Sequence, residues 1–106
     1  MAKGADYIIQ GTLQQSTLEK AASLMRAIAH PLRLKIIVLL DKNKTANVNK
    51  IYKLLNTEQS IVSQHLKIMR NADLVNTKRD GKFIHYSVNY TTIQQINTVL
   101  EKYRTK

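Results

Sequence analysis

Two short amphipathic segments, residues 48–55 and 58–71, stand only Asn56 and Thr57 apart. In the first, Val48, Ile51, Tyr52 and Leu55 recur at the three- and four-residue spacing of one helix face. In the second, Val62, His65/Leu66 and Met69 form the inner face, with Ile61 and Ile68 flanking it. Thr57 is placed to cap this second helix. Two amphipathic helices joined by so short a turn form a helix-turn-helix, and the rest of the chain must supply the core both lean on.

The flanking segments read as that support. From Leu13 onward Leu18, Ala21, Ala22, Met25 and Ile28/Ala29 repeat at helical spacing, and the sole proline, Pro31, ends this helix and opens the next. Residues 32–40 are apolar nearly all round after Lys35, which predicts the buried centre of the domain. Residues 41–47 read as a polar, helix-poor connection. After the two central helices, 74–77 and 82–88 read as strands. In the second, Ile84, Tyr86 and Val88 alternate with Phe83, His85 and Ser87, and Asp80-Gly81 between the strands is a hairpin signal. Residues 92–104 are helical again, with Ile93, Ile96, Val99/Leu100 and Tyr103 on one face. The expected fold is mainly α with a β-hairpin, an α+β winged helix-turn-helix in the order α-α-α-α-β-β-α. It occupies residues 13–106, behind a flexible N-terminal arm over 1–12 that carries two of the three glycines.

Charge narrows the partner. Seventeen Lys and Arg against seven Asp and Glu leave the chain at +10, which favours a polyanion, either nucleic acid or an anionic membrane surface. Between Lys42 and Lys82 nine basic residues face three acids, so six of the ten net charges sit in the middle of the chain. No apolar run approaches the ~20 residues of a membrane span, and residues 1–11 lack the pattern of a secretory signal. A cytoplasmic location without membrane contact is expected. Cysteine is absent, which excludes disulfides, thiolate metal sites and thiol redox sensing. No Gly-rich phosphate loop, paired nucleophile and base, or carboxylate pair marks an enzyme.

The outward face of the second central helix carries Ser60, Ser63, Gln64, Lys67 and Asn71, and no acid occurs from Gln59 to Ala72. A helix laid against DNA must keep carboxylates away from phosphates and offer short donors and acceptors to base edges. Lys67 and Arg70 can pair with phosphate or guanine. Lys78, Arg79 and Lys82 cluster at the hairpin, where they can follow the adjacent backbone or reach a minor groove. A solvated helix face and an incidentally charged loop are the plainer alternatives. Double-stranded RNA is disfavoured, because its deep, narrow major groove does not admit a helix.

Three segments, residues 27–37 (AIAHPLRLKII), 60–67 (SIVSQHLK) and 81–86 (GKFIHY), resemble the ArsR/SmtB family of bacterial repressors, in the family's order and over about residues 13–103. The resemblance implies a homodimer built from the first and last helices that binds an imperfect palindrome in double-stranded DNA and blocks transcription. It places Gln59, Ser60, Ser63, Gln64 and His65 at base and flanking phosphate contacts, and Lys78, Arg79 and Lys82 in the wing. His65 borders the buried stripe, so a packed or backbone-bonded histidine is the other reading of that residue. A regulator of this kind is expected in the bacterial cytoplasm, associated with the nucleoid when bound.

The resemblance also says which sensors are missing. Many relatives release DNA on binding metal through a Cys-x-Cys pair on the third helix, where this chain has Asn47 and Asn49, poor ligands for thiophilic ions. A second site uses Asp/Glu and His on the final helix, but residues 91–106 hold no Asp or His, and Glu101 alone cannot complete zinc's roughly four ligands. His30, His65 and His85 fall in separate motifs. No metal or cofactor is expected. A small-molecule or protein effector stays open, as does use of the fold as a protein-interaction module with an acidic partner.

Overall fold

The computed structural model describes residues 15–102, and the readings made on the 1–12 arm, Leu13, Tyr103 and Arg104 lie outside them. The described chain runs α1 (Gln15–Ile28), α2 (Pro31–Asn43), β1 (Ala46–Asn47), α3 (Val48–Leu54), α4 (Gln59–Asn71), β2 (Val75–Asp80), β3 (Phe83–Val88) and α5 (Tyr90–Lys102). This is a winged helix, with five helices around a three-stranded antiparallel sheet in the order β1-β3-β2.

Local chemistry sets the junctions. The residue before a proline avoids the helical region, and His30 is extended at φ −115°, ψ 131°. Its Nδ1 accepts the Leu32 N–H at 3.1 Å, so His30 caps α2 while Pro31 takes the first turn. At the other end α2 continues three residues past the expected Leu40. The Asn43 amide donates to the Leu39 carbonyl at 2.8 Å, satisfying a helix end within the stretch expected to be helix-poor. The remainder of that stretch contains β1, unforeseen because its two residues owe their strand character to long-range pairing, Ala46 with Tyr86 and Asn47 with His85. Asn47 then caps α3, its Oδ1 accepting the Lys50 N–H at 2.9 Å.

Both central helices end alike. After α3, Asn56 (φ 52°) is left-handed, with its N–H on the Lys53 carbonyl and the Thr57 N–H on the Tyr52 carbonyl. After α4, Asp73 (φ 59°) repeats the arrangement, with its N–H on Arg70 and the Leu74 N–H on Met69. This is the left-handed helix stop usually built on glycine, here made with the two other residues that tolerate it.

The hairpin register corrects the expected turn by one residue. Asp80 pairs with Phe83, so the connection is Gly81-Lys82, with glycine at the first central position at φ +63°. Such a turn matches the strands' twist and needs a residue free of Cβ there. Lys78 and Arg79 consequently lie within β2 rather than in the turn. The helix α5 begins at Tyr90, two residues earlier than expected, because Asn89 Oδ1 accepts the Thr92 N–H at 3.3 Å.

Ile36, Leu40, Ile51, Val62, Leu66, Met69 and Leu74 are fully buried, so α2, α3, α4 and the entry to β2 meet in one core. Burying such a side chain stabilises by about 1.5–3 kcal/mol relative to leaving it in water. Two expectations about burial fail. Leu100 on α5 is 53% exposed, while Thr92 takes a buried place. More consequentially, α2 is not buried all round: Ile36, Leu39 and Leu40 are buried, but Leu34 is 45% and Val38 65% exposed. Nothing in the described fold covers their side of the helix.

Candidate nucleic-acid interface

Four residues, Leu55 to Glu58, join α3 to α4. The left-handed stop at Asn56 turns the chain sharply, and Val62, Leu66 and Met69, spaced i, i+4, i+7, pin α4 into the core. That anchoring determines what points outward. Gln59, Ser60, Ser63, Gln64, Lys67, Arg70 and Asn71 are all exposed, as their spacing predicts. The helix starts without a side-chain cap: Thr57 Oγ1 donates instead to the Leu55 carbonyl at 3.1 Å, and Glu58 holds the cap position without bonding to the helix. Thr57 is therefore not the cap the sequence pointed to, because the stop after α3 engages it.

His65 is only part-buried and turns toward the start of α2. Its ring centroid lies 4.5 Å from that of His30, tilted at 49°. His65 Nδ1 and Arg33 Nε are both buried and make no hydrogen bond in the described structure. Burial holds the His65 pKa below its ordinary 6.5, and the positive charges of His30 and Arg33 push it the same way. Sequence reading placed the three histidines in separate motifs. The fold brings two of them together at the seam where α4 meets α2.

Two apolar residues also reach solvent beside the polar stripe. Ile61 and Ile68 are 38% and 39% exposed and lie seven apart along one edge of the polar stripe. Apolar side chains at that edge can meet a thymine methyl in a major groove. Their signal was present, since a flanking apolar pair wider than the buried stripe must reach solvent.

In the wing, side chains alternate across the sheet. Lys78 and Asp80 share one face with their cross-strand partners His85 and Phe83, while Arg79 and Ile84 share the other. Asp80 Oδ2 lies 3.9 Å from His85 Nε2, but Asp80 is 83% exposed, and so open a pair adds little stability. Lys82 Nζ sits 5.6 Å from the centre of the Phe83 ring. Arg79 Nη1 donates to the Gly81 carbonyl at 3.5 Å. All three cations are exposed. Away from this surface, the Tyr90 hydroxyl donates to Asp41 Oδ1 at 2.6 Å, tying α5 to the end of α2 and raising the tyrosine pKa. Among the described residues no three His, Cys, Asp or Glu gather where a metal ion could be held, and no helix is long and apolar enough to cross a membrane. Asn47, where the resemblance expects a cysteine, serves as a helix cap.

An acid-free polar helix face, presented by a helix-turn-helix and flanked by a cationic hairpin, defines a winged-helix DNA-binding protein. Residues 30–77 match the bacterial regulatory protein, arsR family. Transcriptional repressor PagR of Bacillus anthracis is 40% identical over 88 residues, covering 83% of this chain and 88% of PagR. Transcriptional activator HlyU of Vibrio cholerae is 31% identical over 100 residues, covering 94% and 90%. The PagR crystal structure superposes with a TM-score of 0.71 over 82% of this chain and 99% of PagR. That of NolR from Sinorhizobium fredii, 32% identical, gives 0.68 over 85% and 90%. The chain belongs to the ArsR family and is a DNA-binding transcriptional regulator.

Proposed function

We propose that the chain is a repressor that binds an imperfect palindrome as a homodimer, and that neither metal nor thiol chemistry releases it. The observation that carries the reading is the exposed stripe on α4, polar and basic along its length and anchored from behind by Val62, Leu66 and Met69. Ser60, Ser63, Gln64 and Asn71 read base edges, with Gln59 at the uncapped helix start. Lys67 and Arg70 pair with phosphate or guanine, and Ile61 and Ile68 add apolar contacts. Lys78, Arg79 and Lys82 grip the flanking backbone from both faces of the wing. His65 sits at the seam, its ring tilted against that of His30, where it either meets a flanking phosphate or positions α4.

The first and last helices supply the dimer: α1 and α5 pack together, and Leu100 leaves apolar surface exposed on α5. A two-fold dimer would set its reading helices about 34 Å apart, one DNA turn. Repression is favoured over activation because the 40%-identical relative is named a repressor, although the 31%-identical one is named an activator. Such a regulator works in the bacterial cytoplasm, on the nucleoid.

Selection of bound DNA from a random pool tests the whole reading. A palindromic consensus with half-sites one turn apart is expected, and recovery of unrelated sequences overturns it. The retained complex should be indifferent to zinc and to chelator, and zinc-driven release overturns the metal-free part. Replacing Lys78, Arg79 and Lys82 by alanine should weaken binding to all sequences and lower the salt slope by about three.

One observation favours a second reading, a small-molecule inducer. A concavity of about 550 Å³ opens between α1 and α5, lined by Ala21, Leu24 and Val99 with Gln94, Gln95 and Thr98. Its size, and a lining that sets Ala21, Leu24 and Val99 beside hydrogen-bonding groups that also include Lys20 and Thr91, suit a polar metabolite. A thermal-shift screen of metabolites should find a stabilising ligand that also releases DNA, and a blank screen removes this reading.

A further inference from the structure

The uncovered side of α2 forms part of a third surface, distinct from the reading face and from the α1–α5 pair. Leu34 and Val38 lie one turn apart on α2, and Leu54 stands opposite at the end of α3, 45%, 65% and 56% exposed. Together they border a groove of about 590 Å³ floored by Leu39 and Leu55. No residue of α1, α4, the wing or α5 lines it. Large apolar side chains this exposed and this close together mark a place where something binds.

The surroundings say what kind of occupant fits. Lys35 and Lys42 line the groove, and Lys53 is exposed beside Leu54. Residues 31–55 contain six Lys and Arg and a single acid, Asp41, which the Tyr90 hydroxyl already engages. An apolar trough whose charged lining residues, Lys35 and Lys42, are both cationic, with neutral Asn43 beside them, complements an apolar stripe edged by carboxylates. A second copy fits badly, since a two-fold contact brings the lysines of both copies into one interface with no carboxylate lining the groove to offset them. A small molecule would lie mostly in water in so open a trough, whereas true ligand pockets enclose most of the ligand. Two helices forming a trough fit a third helix laid along it, the groove mode of peptide recognition. The apolar floor offers phosphate nothing.

We propose that this groove docks an acidic amphipathic helix of a partner protein, leaving the DNA-reading face free. The regulator would thereby carry a second protein to the DNA it occupies.

The probe is a synthetic helical peptide with leucines on one face and glutamates on the others, added to the full-length protein already bound to DNA so that the reading face is covered. Methyl NMR signals of Leu34, Val38 and Leu54 should shift, while those of α1 and α5 stay still. The double variant Val38→Ser/Leu54→Ser should bind the peptide at least about tenfold more weakly with DNA affinity unchanged. Both positions are open to solvent, and a matching denaturation curve establishes that the variant folds. Lys35→Glu/Lys42→Glu should lose the glutamate peptide and gain a lysine counterpart. Failure of the peptide to bind, shifts at other methyls, or equal binding of both peptides overturns the proposal. So does a change of oligomeric state on Val38→Ser, which would assign the groove to a second copy, or adsorption to anionic vesicles through the same three residues.

Discussion

The helices α2 and α4 each span 13 residues and bury one face in the same core, yet they turn opposite chemistries toward solvent. Behind α4's buried Val62, Leu66 and Met69 lies a polar stripe without an acid. Behind α2's buried Ile36, Leu39 and Leu40 lie Leu34 and Val38. Burial therefore explains the inner faces of both helices and the outer face of neither. What a helix shows to water, once its anchoring is satisfied, is what the two proposals rest on: a polyanion for α4, and an apolar surface with carboxylate edges for α2.

If the inner faces are equivalent, truncating them should be equally damaging. Leu66→Ala and Ile36→Ala are each expected to destabilise by about 2–5 kcal/mol in urea denaturation, through lost burial and the cavity left behind. Val38→Ala, on the opposite side of the same helix as Ile36, should change stability by no more than about 0.5 kcal/mol. A large loss at Val38 would mean that its side is covered in the folded protein, and the contrast between the helices would collapse.

The outer faces should separate by function. Ser63→Ala with Gln64→Ala is expected to reduce discrimination between operator and random DNA by about 1–3 kcal/mol for each base contact removed. Binding to random DNA should change little. Competition binding measures both, and an equal loss on the two DNAs would move the base readers elsewhere. Val38→Ser should leave both affinities as they were.

Below these lies a backbone effect shared by the helix ends. Asn56 is left-handed at φ 52°, so Asn56→Val should cost about 1–2 kcal/mol by denaturation even though Asn56 is exposed. Asp73→Gly, at φ 59°, should be neutral or stabilising. If valine is tolerated at 56, the turn between α3 and α4 adjusts freely, and the fixed presentation of α4 needs another cause.

Much of this was legible because periodicity reports burial. The stripes of α3 and α4, the break at Pro31 and the outward set from Ser60 to Asn71 follow from residues a few positions apart, whereas burial along β3 does not alternate, since Ile84, His85, Tyr86 and Ser87 are all half-buried. What escaped depends on residues far apart in sequence. Strand β1 exists because Ala46 and Asn47 find Tyr86 and His85. The α2 terminus was hidden in a side-chain bond from Asn43. An apolar run such as 32–40 cannot say whether neighbours will cover all of it, and here they cover one side. The contact between His30 and His65 is the sharpest case, since each belongs to its own motif and only packing α4 on α2 joins them.

That contact yields the smallest and most specific prediction. The His65 pKa is lowered in the folded protein, first by burial and then by His30 and Arg33. A lowered folded pKa means the unfolded chain binds the proton more readily, so stability is fully present above about 6.5 and falls as pH drops through the window beneath it. Thermal midpoints measured from about pH 7.5 to about pH 5.5 should decline, and His65→Gln should decline less steeply. An NMR titration of the His65 ring should place its midpoint below 6.5, the ordinary histidine value. His30→Gln should raise that midpoint only slightly, because burial is the larger cause. DNA distinguishes the two roles open to the residue. A His65 that meets phosphate would have its midpoint raised by the bound operator, and affinity would climb on acidification. A His65 that only positions α4 against His30 would keep its low midpoint in the complex. A free-protein midpoint at or above 6.5 would show the ring to be solvated, and the seam between α2 and α4 would then be looser than the contact between the two rings requires.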